Sequence, residues 1–221
     1  MKNRAASFWE YLDIPLRGWS RIVLVAITVP LVLSFLFPLW QISMTAPQYP
    51  KGLSMDIYCY KLVGGHDGVD VSEINTLNHY IGMKTITRSE LQDLDWLPFG
   101  IIAMAMLGLR CALLGNVRTL IDLAMITVYI SGVAFGRFVY MLYDFGHNLD
   151  PKAPVTIDPF MPVVFGAKKV ANFWTYSYPA FGSAGLGVFT GGVWVLLAFY
   201  LWKGYRTRER SGAGRAAASS A

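Results

Sequence analysis

Charge is scarce in this chain. Only 15% of its 221 residues are Asp, Glu, Lys or Arg, where an ordinary soluble domain carries about 25%. Two cysteines exclude a disulfide-stapled secreted scaffold. The sequence has no GxSxG, no P-loop, no GxGxxG fingerprint, no HExxH and no CxxC, so none of the usual catalytic constellations is present and an enzyme is not expected. Disorder over most of the length is excluded by the abundance of aliphatic and aromatic residues.

What the chain has in quantity is hydrophobicity: 54% of residues are apolar and the mean hydropathy is +0.41. A transmembrane helix needs roughly 20 mainly apolar residues to cross about 30 Å of hydrocarbon. Four runs meet that need, at about 22–44, 96–115, 119–143 and 180–202. The first is uncharged and carries Pro30 and Pro38, which should kink it. It is too long for a signal peptide and lacks a small-residue cleavage site, so it is expected to remain as an anchor. The second run holds Arg110 near one end, the third holds Asp122 and Arg137 near its two ends, and the fourth has no charge.

The placement of the basic residues orients these runs. Eleven of the 19 lie in the N-terminal segment (Lys2, Arg4, Arg17, Arg21), the turn between the second and third runs (Arg110, Arg118) and the tail (Lys203, Arg206, Arg208, Arg210, Arg215). Four spans put all three groups on one face, which the positive-inside rule makes cytoplasmic. The net charge of +5 is then a topology signal, and nucleic acid is not an expected partner. The expected fold is an all-α integral membrane protein, a four-transmembrane-helix bundle with both termini cytoplasmic and two outward-facing loop segments. Its expected parts are a cytoplasmic amphipathic segment (1–21), a membrane domain (22–202) with extracytoplasmic loops at 45–95 and 144–179, and a basic, disordered cytoplasmic tail (203–221). Some alternation over 53–63 suggests a short hairpin in the first loop. The location that follows is a bacterial cytoplasmic membrane, multi-pass, with the loops facing the periplasm or exterior.

Charges at the run ends have local explanations. Arg118 and Asp122 stand i, i+4 and can pair, and Arg137 can snorkel outward toward Asp144. Gly132–Gly136 and Gly187–Gly191 are GxxxG patterns, which let helix backbones approach, either within the chain or to a partner's helices. Aromatic residues Phe173, Trp174, Tyr176 and Tyr178 read as an interfacial belt before the fourth run.

Any chemistry is expected in the outward loops, where all three histidines (His66, His79, His147) and Met44, Met55, Met83 and Met161 fall. Imidazole and thioether suit copper, and thioether favours soft Cu(I). His79 and Met83 are four apart and would share a face if both were helical. His147 follows the third run and approaches His79 if the two loops pack together. His66, within Gly-Gly-His-Asp-Gly, reads as a solvated turn residue. Cys59 is outward and Cys111 lies within the second run, so no disulfide between them is expected.

Three stretches carry a resemblance: Pro38-Leu39-Trp40-Gln41-Ile42 with Ala46-Pro47-Gln48-Tyr49-Pro50-Lys51-Gly52-Leu53-Ser54-Met55, then Asn75-Thr76-Leu77-Asn78-His79-Tyr80-Ile81-Gly82-Met83, and Tyr143-Asp144-Phe145-Gly146-His147-Asn148-Leu149-Asp150-Pro151-Lys152-Ala153-Pro154. Together they resemble a family of small bacterial multi-span membrane proteins associated with gene clusters for nitrous-oxide reductase and copper handling. The resemblance covers about residues 35–180. It implies that His79, Met83, His147 and Met55 belong to the functional face, whereas His66 and Cys59 fall outside the motifs. The leading expectation is a non-enzymatic accessory protein that binds or delivers copper on the extracytoplasmic side through His79, Met83 and His147, with Met55 as a fourth ligand. Its expected partners are membrane lipids and a membrane or periplasmic protein. The alternative is a structural subunit of a larger respiratory or photosynthetic complex, without metal, in which Asn78 and His79 satisfy buried loop carbonyls and the loops form a docking surface.

Overall fold

The computed structural model describes residues 11–170 and 173–219. Four of its helices are long and apolar enough to cross a membrane, over Gly18–Leu36, Asp93–Leu114, Val117–His147 and Phe181–Arg206. They belong to α1 (Gly18–Leu33, with a 3-10 turn to Leu36), α3 (Asp93–Leu114), α4 (Val117–His147) and α5 (Phe181–Ser219). A shorter helix, α2 (Val69–Tyr80), lies between α1 and α3 in the chain. Helix α5 continues past Arg206 over the basic tail, where a disordered segment was expected.

The chain is not all-α, and this corrects the expectation from hydropathy. The two segments expected as outward loops, together with the last residues of the first apolar run, build a five-stranded antiparallel sheet in the order β3-β2-β1-β5-β4. Its strands are β1 (Trp40–Ala46), β2 (Tyr49–Ile57), β3 (Leu62–Gly64), β4 (Gly166–Val170) and β5 (Phe173–Pro179). The fold is mixed α/β. The hairpin expected over 53–63 is present as the β2–β3 pair, with Met55 opposite Gly64 and Ile57 opposite Leu62, but it is one edge of this larger sheet.

Local chemistry explains why the first helix stops early. Phe37, before Pro38, takes an extended conformation (φ −123°, ψ 150°), as the residue preceding proline tends to do. From Trp40 onward polar and apolar residues alternate: Ile42, Met44 and Ala46 are buried while Gln41 and Thr45 are exposed, the period-2 pattern of a half-buried strand. Register then aligns Ile42 with Met55 on one side and with Ser177 on the other.

One end of the helical layer is tied together by the N-terminal segment. Leu16 N–H donates to the Gly115 carbonyl (3.1 Å) and Val117 N–H to the Ile14 carbonyl (3.2 Å). Asn116 caps α4 with a reciprocal capping box to Thr119. Arg118 pairs with Asp13 at 3.1 Å. At the sheet end, Arg137 pairs with Asp93 (2.9 Å) and not with Asp144, which takes Lys84 instead (2.7 Å). Asp93 opens α3, so its charge also complements the helix dipole.

The two GxxxG pairs are not used inside the chain: a Cβ added at Gly132, Gly136, Gly187 or Gly191 would meet nothing within 4 Å. Close approach occurs elsewhere, at Gly182 and Gly185 of α5 against the backbone of 30–38.

Candidate functional site

At 1.5 Å per residue the 31 residues of α4 extend about 46 Å, well beyond the roughly 30 Å of a bilayer core. Its last turns, at the sheet end, present Phe138, Met141, Leu142 and Phe145, the i, i+3, i+4, i+7 stripe of one helix face, to a cavity of about 70 Å³. The inner face of the sheet supplies Ile42, Met44, Met55, Ile57, Val170, Phe173 and Thr175. Ile74 and Asn78 of α2 and Met83, Ile86 and Leu91 of the chain after it also line the cavity. Phe160, Pro162 and Val163 complete it.

Four methionines therefore line one chamber. Met44 and Met55 do so because antiparallel register places them on one face: Met55 opposes Ile42 and Met44 opposes Leu53, so the two are diagonal neighbours. Met83 arrives by a helix-ending turn. Gly82 N–H donates to the His79 carbonyl (3.2 Å) and Met83 N–H to the Asn78 carbonyl (2.8 Å), the paired bonds of a Schellman motif. Gly82 stands at φ +79°, and a Cβ there would lie 2.8 Å from the Asp150 carbonyl oxygen, so this position requires glycine twice over.

That turn overturns the shared face expected for His79 and Met83. Helix α2 ends at Tyr80, Met83 turns into the chamber, and His79 stays exposed on the helix. The two loop segments do pack together, as Asp150 N–H donates to the Gly82 carbonyl (2.8 Å) and Val155 N–H to that of Tyr80 (3.1 Å). His147 nonetheless does not line the chamber. Its ring stacks on Tyr143 with centroids 3.8 Å apart, and Nδ1 lies 3.0 Å from the Tyr143 carbonyl. A carbonyl can only accept, so Nδ1 is the donor in this contact. Among the described residues no three His, Cys, Asp or Glu side chains gather as a metal cluster. Of the four expected ligands, the structure brings Met55 and Met83 together and leaves His79 and His147 outside.

Sequence comparison adds no assignment. No protein-family model and no curated protein matches this chain.

Asn78 is the residue whose environment the sequence did not reveal. Its side chain is 1% exposed, and neither Nδ2 nor Oδ1 has a hydrogen-bond partner. The role of satisfying loop carbonyls, expected if the loops were a docking surface, is thus not filled by its amide. A buried polar group left unmet costs about 1–3 kcal/mol. Its neighbour in sequence, Asn75, does the opposite: Nδ2 donates to the Ile86 carbonyl (3.0 Å) and Oδ1 accepts from Ile86 N–H (2.6 Å), holding the chain after α2 against the helix.

Charged groups frame the chamber without lining it. Lys84 is held above its ordinary value by the hydrogen bond to Asp144, against the opposing effect of burial. Asp70, at the first turn of α2, is buried, which opposes its charge. Ser54 N–H (2.8 Å) and His66 Nδ1 (2.8 Å) outweigh that effect and hold its carboxyl below the usual range. His66 itself is exposed, in a turn at φ 47°. Cys59 and Cys111 are both free and buried, and burial pushes the Cys59 thiol up to about 11, so Cys59 is a protonated thiol at neutral pH.

Proposed function

We propose that this chain is a membrane-anchored accessory protein that binds Cu(I) in the methionine-lined chamber and passes it to a copper-requiring protein on the extracytoplasmic side. The observation that carries this reading is the convergence of Met44, Met55, Met83 and Met141 on one cavity. Neutral thioethers are soft donors that select Cu(I) over harder divalent ions, and no carboxylate or imidazole lines the chamber to favour the latter. Met55 and Met83 are the first ligands, Met44 and Met141 complete the set, and His79 and His147 act outside it, where copper arrives or leaves. The resemblance of the outward motifs to proteins associated with nitrous-oxide reductase clusters supports the same reading. The grouping of basic residues at the N-terminus, the 110–118 turn and the tail supports cytoplasmic termini and a chamber outside the membrane.

Titration of the purified full chain against a chromophoric Cu(I) chelator, under reducing conditions, tests this. Wild type should take up one equivalent. Met55→Leu with Met83→Leu, which keeps the volume and removes two thioethers, should weaken uptake at least tenfold, and His79→Ala should leave the affinity within about threefold. Indistinguishable wild-type and double-variant curves, or no uptake at all, would end the copper reading.

A second reading, a subunit of a larger membrane complex, is favoured by the two open glycine pairs on α4 and α5, since small-residue faces admit partner helices. Mild-detergent purification that recovers the chain in a stoichiometric assembly without copper would favour it.

A further inference from the structure

The buried amide in the chamber asks for an occupant that thioethers do not require. Asn78 presents one unmet donor and one unmet acceptor, and apart from Thr175 every other lining side chain is aliphatic, aromatic or thioether. A bare carbonyl would meet only Nδ2, and an ammonium would meet only Oδ1. A charged organic head would in addition be stripped of water with no counter-charge on the lining and, unlike Cu(I), would gain no bond to sulfur. A hydroxyl meets both amide atoms, because it donates through its hydrogen and accepts at its oxygen. A single water bridges the two amide atoms equally well but leaves the apolar remainder of the chamber unfilled, which a hydroxyl carrying a hydrocarbon chain does not.

We propose that the chamber binds an aliphatic amphiphile with an uncharged hydroxyl head, the hydroxyl donating to Asn78 Oδ1 and accepting from Asn78 Nδ2–H. The roughly 70 Å³ of the chamber takes the hydroxyl and the first carbons of the chain against Ile74, Leu142 and Phe145, and the rest of the chain runs out along α4 toward the bilayer. The bilayer is the source, because the wall formed by Phe138 to Phe145 continues directly from a stretch of α4 with membrane-crossing composition. This site goes beyond the copper reading and does not depend on it, because it uses the amide and not the sulfurs.

The test is calorimetric titration of the detergent-solubilised full chain with decanol and with methyl nonyl ether, which has the same number of heavy atoms but no donor. Decanol should bind saturably at one site, and the ether about tenfold more weakly or worse. Asn78→Leu should bring decanol down to the affinity of the ether while raising the thermal midpoint of the ligand-free protein, because it removes an unmet amide of similar shape. Equal affinities for decanol and ether, or no saturable decanol site, would overturn the proposal. So would an Asn78→Leu protein that is less stable or fails to fold, since that is the behaviour of a satisfied structural amide. Copper uptake is measured separately and can fail while this result stands.

Discussion

Replacing Gly185 by alanine should have the opposite sign from replacing Gly132 by alanine, although both are mid-helix glycines in apolar stretches. At Gly185 an added Cβ would sit 2.3 Å from the Pro30 carbonyl oxygen and 3.0 Å from its carbon. Both are backbone atoms of α1, so no side chain can swing away, and α1 and α5 must part by about 1 Å to restore contact distance. Overpacking of this kind costs about 1–3 kcal/mol, and a gap of that size forfeits a quarter to a half of each dispersion contact along the seam. Alanine gains back about 0.8–1 kcal/mol in helix propensity. The net loss is about 1–2 kcal/mol, a factor of about 5–30 in the folded-to-unfolded ratio. At Gly132 nothing lies within 4 Å, so only the propensity gain remains and stability should rise by up to about 1 kcal/mol. Unfolding in mixed micelles of increasing SDS fraction reads both, and the variants should differ by about 1–3 kcal/mol, with Gly185→Ala below wild type and Gly132→Ala above it. Equal shifts in the same direction would refute the assignment of the close helix contact to 182–185 and restore the GxxxG pair as an internal packing motif.

Acid and thiol chemistry give two more expectations. Because the Asp70 carboxyl is depressed in the folded chain, its charge stabilises at pH values above the ordinary value of 3.8, and that contribution is lost as pH falls through the lower folded value. Asp70→Asn should therefore lower thermal stability at neutral pH, with the gap to wild type closing only below about pH 4, and a gap that persists unchanged to pH 2 would contradict the assignment. Cys59, fully buried with its thiol pushed up to about 11, should resist iodoacetamide at pH 7.5 at least 100-fold better than a free cysteine and react fully once denatured. Rapid alkylation of the native chain would show that the loop between β2 and β3 opens.

The helical layer could be read from the sequence because hydropathy over 20 residues is a coarse signal. The expected run at 119–143 falls within the helix at Val117–His147, and those at 96–115 and 180–202 overrun the helices at Asp93–Leu114 and Phe181–Arg206 by one residue each. The same averaging hid the sheet. Trp40-Gln41-Ile42-Ser43-Met44-Thr45-Ala46 is apolar enough on average to extend the first run, yet its alternation and the preceding Pro38 mark a strand. Phe173-Trp174-Thr175-Tyr176-Ser177-Tyr178 has the same period, with Thr175 and Ser177 buried and Trp174 and Tyr178 exposed, but its aromatic content made it read as an interfacial belt. A window of five residues scored at period 2 would have found both.

The site was half visible for a different reason. Met55 and Met83 stand out because they lie in the sequence motifs, but what unites them is tertiary: a strand register, a left-handed glycine and the last turns of α4. Spacing alone favoured His79 with Met83, an inference that needs the helix to continue. Gly82 is the residue that forbids it, because a glycine two positions past a helical tyrosine, followed by an apolar residue, is the signature of a Schellman stop. With the helix ended at Tyr80, the chain reverses and Met83 turns inward to face the sheet. Asn78 is already on the buried side, because it continues the Asp70, Ile74 row of α2, and His79, the next residue, is on the exposed side. The helix sorts the histidine from the amide, and the dihedral at Gly82 brings the thioether in beside the amide. Gly82→Ala should consequently damage the chamber more than any single lining substitution, because it strains the αL turn and drives a Cβ into the Asp150 carbonyl.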